Sequence, residues 1–480
     1  MAQRSASDFR YARLADDLEV KIREGVYRSG EKLPSLRKLH GQTGLSITTV
    51  YQAYIELEKR GVVVPRQKSG YYVKPMLDRI LPPPEAPKLR PVPKRVTTNT
   101  LAYSIVEDTS NPEFLHLGAS VVMPDLLPYK QLTRCIRGES MESMKRSLMR
   151  YENPYGNPEL KRQIAKRMVG QVRPSAMDEL LVTNGCIEAV GLCLQAVGSA
   201  GDTVIVESPT YPWFLQIIED QKMFALEMPT DPQTGMDLEQ LERTIRKNAV
   251  AACLLVPNFH NPLGFEMPEE KKRKLVEMMA AKKIPIIEDN IHGELYFGKS
   301  RPTTLKSMDR RGLVLHCASF SKTLSPGLRV GWCLPGRYTD RVRRLKLNST
   351  VASPTLNQQV VADFLKTGAY DRHLRRLRTA LKNQISNTAL AIARYFPEGT
   401  RITAPQGGLT LWVELEKKVD GLKVFQEARK QKISIFPGLI CSNTGRYRNF
   451  IRISCGYPWS EKIEKGIKVL SKIVRNMRQV

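Results

Sequence analysis

The sequence predicts an α/β protein in two parts: a small N-terminal unit of three helices and a hairpin, then a large unit on a mostly parallel sheet. Three observations predict this. First, Ile80-Leu-Pro-Pro-Pro-Glu-Ala-Pro-Lys-Leu-Arg-Pro-Val-Pro-Lys-Arg95 holds six prolines between Pro82 and Pro93, which remove backbone donors and favour an extended path. Second, the preceding segment carries helical apolar spacing and then two short β-branched runs. Third, the following segment alternates buried-strand runs with amphipathic stretches. The expected boundaries are 1–74 for the small unit, 75–111 for a linker and 112–480 for the large unit.

Size and charge set outer limits. At 480 residues with 41% hydrophobic content, the chain is long enough for two or three packed domains. No apolar run reaches membrane-spanning length, and residues 1–8 lack the apolar stretch of a signal peptide, so a cytoplasmic protein with no membrane partner is expected. Eight scattered cysteines and six histidines form no recognisable zinc or disulfide pattern. The net charge is +27, and residues 1–98 hold 19 Lys+Arg against 10 Asp+Glu, or +9. A polyanionic partner is expected, with nucleic acid ahead of membrane because no basic amphipathic helix stands out.

In the small unit Leu14, Leu18 and Ile22 mark one apolar helix face. Ser35 is a suitable N-cap for a short second helix containing Leu36 and Leu39. Gly44 turns the chain, and Ser46 can cap a third helix through Val50, Tyr54 and Leu57 to Lys59. Val62–Val64 and Tyr71–Val73, joined by the polar turn 66–70, form a two-stranded wing. In the large unit Val204–Val206, Val250–Val256, Ile284–Ile287 and Leu313–Leu315 read as buried strands, and Glu269–Ala281 as a helix. Ligand sites of such sheets lie at the carboxyl ends of the strands.

The small unit's motifs, Leu33-Pro-Ser-Leu-Arg-Lys-Leu39, Gly44-Leu-Ser-Ile-Thr-Thr-Val-Tyr-Gln-Ala-Tyr54 and Lys68-Ser-Gly-Tyr-Tyr-Val73, resemble the GntR family of winged helix-turn-helix repressors over residues 8–74. The resemblance implies that double-stranded operator DNA meets the third helix through Ser46, Thr48, Thr49 and Tyr51. Ser35 and Arg37 would hold phosphate, and Arg66 and Lys68 would contact backbone or minor groove from the wing. Relatives usually carry arginine where this chain has Ile47, which cannot make a bidentate contact to guanine. A protein-docking module is the alternative use of such a unit.

In the large unit, Ser319-Phe-Ser-Lys-Thr-Leu-Ser-Pro-Gly-Leu-Arg-Val-Gly-Trp332 places a lysine beyond a strand among hydroxyls and an arginine, as an aldehyde-phosphate cofactor requires. Lys322 would form the imine, while Ser319, Ser321 and Arg329 would bind phosphate. Asp289 ends a strand, placed to keep a pyridine nitrogen protonated. Asn261 can donate to the ring oxygen, and Tyr211 offers a stacking face. Backbone amides near Gly185 and Cys186 open a helix that can hold phosphate.

Together these residues resemble fold-type I aminotransferases of the aspartate aminotransferase superfamily over roughly residues 112–478, which implies pyridoxal 5'-phosphate. The resemblance further implies that Tyr151 reaches the phosphate of a neighbouring subunit, hence a homodimer. It also implies that Arg452 pairs with a substrate or effector carboxylate; a structural ion pair is the alternative. Two positions depart from the pattern. His292 stands where tyrosine is usual and is expected to donate to the ring oxygen with an occupancy that varies near neutral pH. Cys186 stands where serine or alanine is commoner.

A GntR-like head, a proline-rich connection and an aminotransferase-like body resemble the MocR subfamily. That implies a regulator in which an amino-acid-like or B6-related effector, bound at the cofactor, alters DNA binding. A working aminotransferase with an accessory DNA-binding head is the rival, and a cofactor-free dimerisation scaffold is a third reading.

Overall fold

Four-residue spacing of Leu14, Leu18 and Ile22 puts one buried stripe on α1 (Arg10–Arg23). α2 (Leu36–Thr43) begins at Ser35, whose hydroxyl accepts from the Lys38 N–H at 3.2 Å, and ends at Gly44, whose φ of 67° is a left-handed conformation that suits glycine. α3 (Ile47–Lys59) begins at Ser46, whose hydroxyl accepts from the Thr49 N–H at 3.1 Å. The three helices close on one core with Leu33, Leu39, Val50, Leu57, Val63 and Val73. The Tyr54 hydroxyl donates to the Pro34 carbonyl at 2.6 Å. Arg60 gathers Asp16, Glu19 and Glu56 at 2.6, 2.9 and 3.0 Å, tying the end of α3 to α1. β1 (Val63–Arg66) and β2 (Gly70–Val73) pair antiparallel as the wing.

The structure, a computed structural model, describes residues 10–27, 30–66, 69–74, 80–97, 101–172 and 178–478. The chain divides into two units, Met1–Leu81 and Pro82–Val480. Lys68 lies outside the described residues.

The larger unit contains β3 (Lys94–Arg95), β4 (Leu115–His116), β5 (Leu181–Thr183), β6 (Thr203–Ser208), β7 (Phe224–Asp231), β8 (Gly235–Met236), β9 (Ala252–Leu255) and β10 (Ile286–Asp289). There follow β11 (Val314–Ser319), β12 (Gly331–Leu334), β13 (Arg401–Ile402), β14 (Thr410–Glu414), β15 (Ile433–Ser434), β16 (Phe436–Pro437) and β17 (Phe450–Ser454). The main sheet runs β3-β7-β6-β9-β10-β11-β12-β5, with β8 on β7. Its central strands, β7 through β11 in that order, are parallel. β12 runs antiparallel to both β11 and β5, and β3 antiparallel to β7. The central strands are buried on both faces, and the helix Cys186–Val197 packs Ala189, Val190 and Cys193 against them. This is how doubly covered parallel strands read in sequence.

A second sheet, β13-β14-β17-β16, sets Arg452 of β17 opposite Trp412 of β14. Among the described residues no helix is long and apolar enough to cross a membrane.

The proline-rich stretch differs from a free connection. Prolines lose their N–H but keep the carbonyl, and from Pro82 the chain is held on the larger unit through such acceptors. Ile402 N–H donates to Pro82 at 3.0 Å, Arg446 to Lys88 at 3.1 Å and Gln240 to Leu89 at 3.3 Å. β3 then joins the sheet edge.

Candidate functional site

Five carboxyl-terminal strand ends deliver side chains to one cleft. β10 ends at Asp289 and turns through His292; β11 leads to Ser321 and Lys322. β9 leads to Asn261, β6 to Tyr211, and β5 to Gly185 and Cys186. The cleft encloses about 710 Å³, partly open to solvent, and is lined by Ser120, Cys186, Tyr211, Asn261, Asp289, His292, Ser321, Lys322 and Arg329 among others. A concave wall with several convergent polar groups suits a small-molecule site.

Asp289 is 3% exposed. It accepts from the Ile291 N–H at 2.9 Å and the Cys186 thiol at 3.3 Å. It makes no ion pair among the described residues, and burial pushes its carboxyl up to about 6. The Lys322 ammonium donates to the Ser120 carbonyl. Burial, and then the nearby Arg452 and Arg329, bring its pKa down to about 8. The Asn261 side-chain oxygen accepts from Arg452 at 2.8 Å, so the amide NH₂ is the side left to donate.

Around the proposed phosphate position, Gly185 has φ 91° and caps the helix that Cys186 begins. A Cβ there would lie 2.3 Å from the Arg329 guanidinium, and one on Gly331 2.5 Å from the Gly185 carbonyl carbon. The left-handed φ favours glycine at 185, and the facing backbone requires it at 331, which leaves the first helical turn bare and close to Arg329. Arg329 is exposed, with one nitrogen donating to the Asn184 carbonyl at 2.9 Å and the other 3.4 Å from the Ser321 hydroxyl.

Three expected residues stand apart. Ser319 is buried outside the cleft wall, its hydroxyl accepting from the Ser321 N–H at 3.3 Å. Tyr151 is 87% exposed and does not line this chain's cleft. Arg452 is 2% exposed and donates to Asn261 and, at 2.7 Å, to the Gly118 carbonyl, with its charge 3.8 Å from the Phe436 ring centre. It has no carboxylate partner among the described residues, so the structural ion pair is not what holds it. Burial lowers its pKa from the ordinary arginine value.

His292 also differs from expectation. Its Nδ1 lies 3.2 Å from the Phe259 carbonyl, and burial takes its pKa down to about 3. The ring is therefore neutral throughout the neutral range. Sequence reasoning also missed Ser120, Gly118, Asn184 and Phe259, because each takes part through backbone atoms that any residue possesses.

In the small unit, Ser35 and Ser46 spend their hydroxyls on helix caps, and Thr49 Oγ1 lies 2.8 Å from Ser46 Oγ. Thr48 is exposed, as are Ile47 and Tyr51 on the same helix, and Arg37 on α2. Arg66 is exposed on β1, its guanidinium 4.0 Å from the Tyr72 ring centre, an arrangement that fixes an otherwise mobile side chain.

Fold and site together define a two-part class: a winged helix-turn-helix unit on an aminotransferase-type unit. Residues 10–73 match the bacterial regulatory proteins of the gntR family, and residues 124–470 match aminotransferase class I and II. The chain is 37% identical to the HTH-type transcriptional regulator YjiR of Escherichia coli, covering 97% of this chain and 98% of that one. It is 36% identical to YdcR of the same organism, covering 97% and 99%. The larger unit resembles the crystal structure of LysN, an alpha-aminoadipate aminotransferase from Thermus thermophilus complexed with N-(5'-phosphopyridoxyl)-L-leucine. That likeness has 26% identity and a TM-score of 0.74, covering 80% of this chain and 96% of that one. The chain belongs to the HTH-type transcriptional regulators of MocR architecture, with a GntR head and an aminotransferase class I and II body.

Proposed function

We propose that this regulator holds pyridoxal 5'-phosphate in the cleft, senses an amino-acid-like or B6-related effector there, and acts as a homodimer on double-stranded operator DNA. The observation that carries the reading is Asp289: a buried carboxylate without a cation partner, in a cleft that also holds Lys322 and Asn261. An unpaired buried charge is costly, and a protonated pyridine nitrogen would supply its missing partner. The glycine cradle at Gly185, the adjoining Arg329 and the Ser321 hydroxyl fit a phosphate.

When bound, the cofactor supplies an aldehyde that joins an amine and a ring that accepts electrons. In that reading Asp289 holds the proton at the ring nitrogen, and the Asn261 NH₂ donates to the ring oxygen. Tyr211 covers a ring face. Lys322, with a pKa near 8, has an appreciable neutral fraction close to neutral pH, as attack on an aldehyde requires. Arg452 is the anchor for an effector carboxylate, and Tyr151 serves the partner subunit's phosphate. In the head, the exposed Thr48 and Tyr51 are the side chains offered to base edges, with Arg37, Arg66 and Lys68 on phosphates.

Borohydride reduction of the cofactor-loaded protein, followed by peptide mass mapping, tests this reading. The expected adduct is on Lys322. An adduct on another lysine, or none, would overturn the assignment.

A catalytically active aminotransferase is the second reading, favoured by the coexistence of Lys322, Asp289 and Arg452. Steady conversion of an amino acid and a 2-oxo acid would support it. Effector-dependent DNA binding without turnover supports the regulator.

A further inference from the structure

One nitrogen in the cleft wall has an assignable role that its residue type alone does not reveal. His292 Nδ1 faces the Phe259 carbonyl at 3.2 Å. A carbonyl only accepts, so the neutral ring carries its proton on Nδ1, and Nε2 is left with a bare lone pair. Nε2 is buried with no hydrogen-bond partner among the described residues. The ring itself is part of the cleft wall with Asn261, Asp289 and Lys322.

We propose that His292 is a fixed acceptor whose Nε2 takes a hydrogen bond from the protonated ring oxygen of bound pyridoxal phosphate, where a tyrosine would donate one. The inference rests on the cofactor reading given under Proposed function.

Burial first, and then the cations around it, oppose a second proton on the ring and outweigh the Phe259 carbonyl, which favours one. Lys322 approaches from the turn after β11, Arg452 from β17 and His260 from the loop after β9; together with burial they drive the ring's pKa down to about 3. Asp289, on the same strand end, is the only carboxylate lining the cleft among the described residues; its Oδ1 accepts from both Ile291 and Cys186, and it makes no hydrogen bond to the ring's Nε2. Nε2 thus stays an acceptor across the range in which the protein works. An unpaired buried acceptor is costly, and a ligand hydroxyl offsets that cost. The Asn261 NH₂ can donate to a lone pair of the same oxygen, and a hydroxyl is able to satisfy both neighbours whereas an oxyanion satisfies only Asn261. Wild-type protein should therefore hold the ring oxygen protonated more than a tyrosine-bearing site does.

Two measurements test this. In protein with ¹⁵N-labelled histidine rings, of which the sequence has six, the signals lost in His292→Phe identify His292, and nitrogen shifts report its tautomer. Nδ1–H with a bare Nε2 at pH 6–8 is expected; Nε2–H or a doubly protonated ring would overturn the proposal. The second measurement is the absorption spectrum of the loaded protein against pH. His292→Tyr replaces an acceptor by a donor, stabilises the oxyanion and should raise the ratio of its longer-wavelength band to that of the neutral oxygen by about tenfold, a midpoint lowered by about one pH unit. His292→Phe should move it the same way by less. Unchanged spectra in both variants, with mass mapping placing the cofactor on Lys322, would overturn the His292 role alone. Absence of a Lys322 adduct in wild type would overturn the cofactor reading and this proposal with it.

Discussion

Asp289 illustrates how a residue proposed to meet a ligand can oppose stability while that ligand is absent. Its carboxyl is pushed up to about 6 from an ordinary 3.8 by burial. The native state therefore binds more protons than the unfolded chain between those values, and stability falls as pH rises through that window. About two pH units correspond to about 3 kcal/mol. Asp289→Asn keeps the shape and abolishes the charge. The cofactor-free variant is therefore expected to match wild type near pH 4 and to exceed it by up to about 3 kcal/mol above pH 7, read from denaturant melts across that range. The same variant is expected to bind pyridoxal phosphate more weakly, because the ring nitrogen loses its counter-charge. Equal melts at pH 7 would show that relaxation already relieves the buried charge. At this scale the meeting of Lys322, Asp289 and Asn261 in one cleft was legible from sequence, since each sits in a short motif beside a recognisable strand. Ser120 was not: its carbonyl meets a lysine 202 positions later, and no local pattern encodes such a meeting. The state of His292 was misread for a related reason: burial and the nearby Lys322 keep its ring neutral, and no local pattern encodes those surroundings.

At the scale of elements, periodicity carried most of the information. Glu269–Ala281 is a helix with the expected bounds, and the four anticipated runs contribute to β6, β9, β10 and β11. What periodicity does not carry is strand direction. A short apolar run reads alike in either orientation, so the antiparallel insertion of β12 between β11 and β5 was not visible. The helix-turn-helix was legible because its caps are chemical signals: Ser35, Gly44 and Ser46 each occupy the position their residue type favours. The caps also divide labour among the expected DNA-contacting residues. Ser46→Ala removes a cap and should cost the head about 1 kcal/mol. Arg37→Ala removes an exposed charge on α2 and should leave stability within about 0.5 kcal/mol. If Arg37 holds a phosphate, that variant should reduce the magnitude of the salt slope of log affinity by about 0.9, whereas Ser46→Ala should leave it unchanged. Titrations of duplex DNA at several salt concentrations, with melts in parallel, separate the two. An unaltered slope for Arg37→Ala would remove it from the phosphate-binding set.

For the whole molecule, the question is whether a ligand in one unit is felt in the other. Linkage demands reciprocity: if loading the cleft changes DNA affinity by some factor, bound DNA must change ligand affinity by the same factor. Arg452 is the residue at which this can be probed without touching the head. It lies buried on β17, holding the Asn261 oxygen and the Gly118 carbonyl, while its Nε has no partner among the described residues. An effector carboxylate entering the cleft has to shed water, which is unfavourable unless a cation meets it. Arg452 is the charge proposed to do so, and its remaining donor suits a carboxylate oxygen. Lysine keeps the charge but cannot hold Asn261, Gly118 and a carboxylate in one plane. Arg452→Lys is therefore expected to retain the cofactor on Lys322 and to bind operator DNA as wild type does without effector. Its response to effector should need at least about tenfold more ligand, the scale of losing one charge-assisted hydrogen bond. The measurement is operator affinity against concentration for amino acids screened first on wild type, with ligand affinity measured in the presence and absence of DNA. An unchanged effector response in Arg452→Lys would exclude Arg452 from ligand binding. Unequal factors in the two directions would show that the DNA and ligand measurements do not report one shared equilibrium.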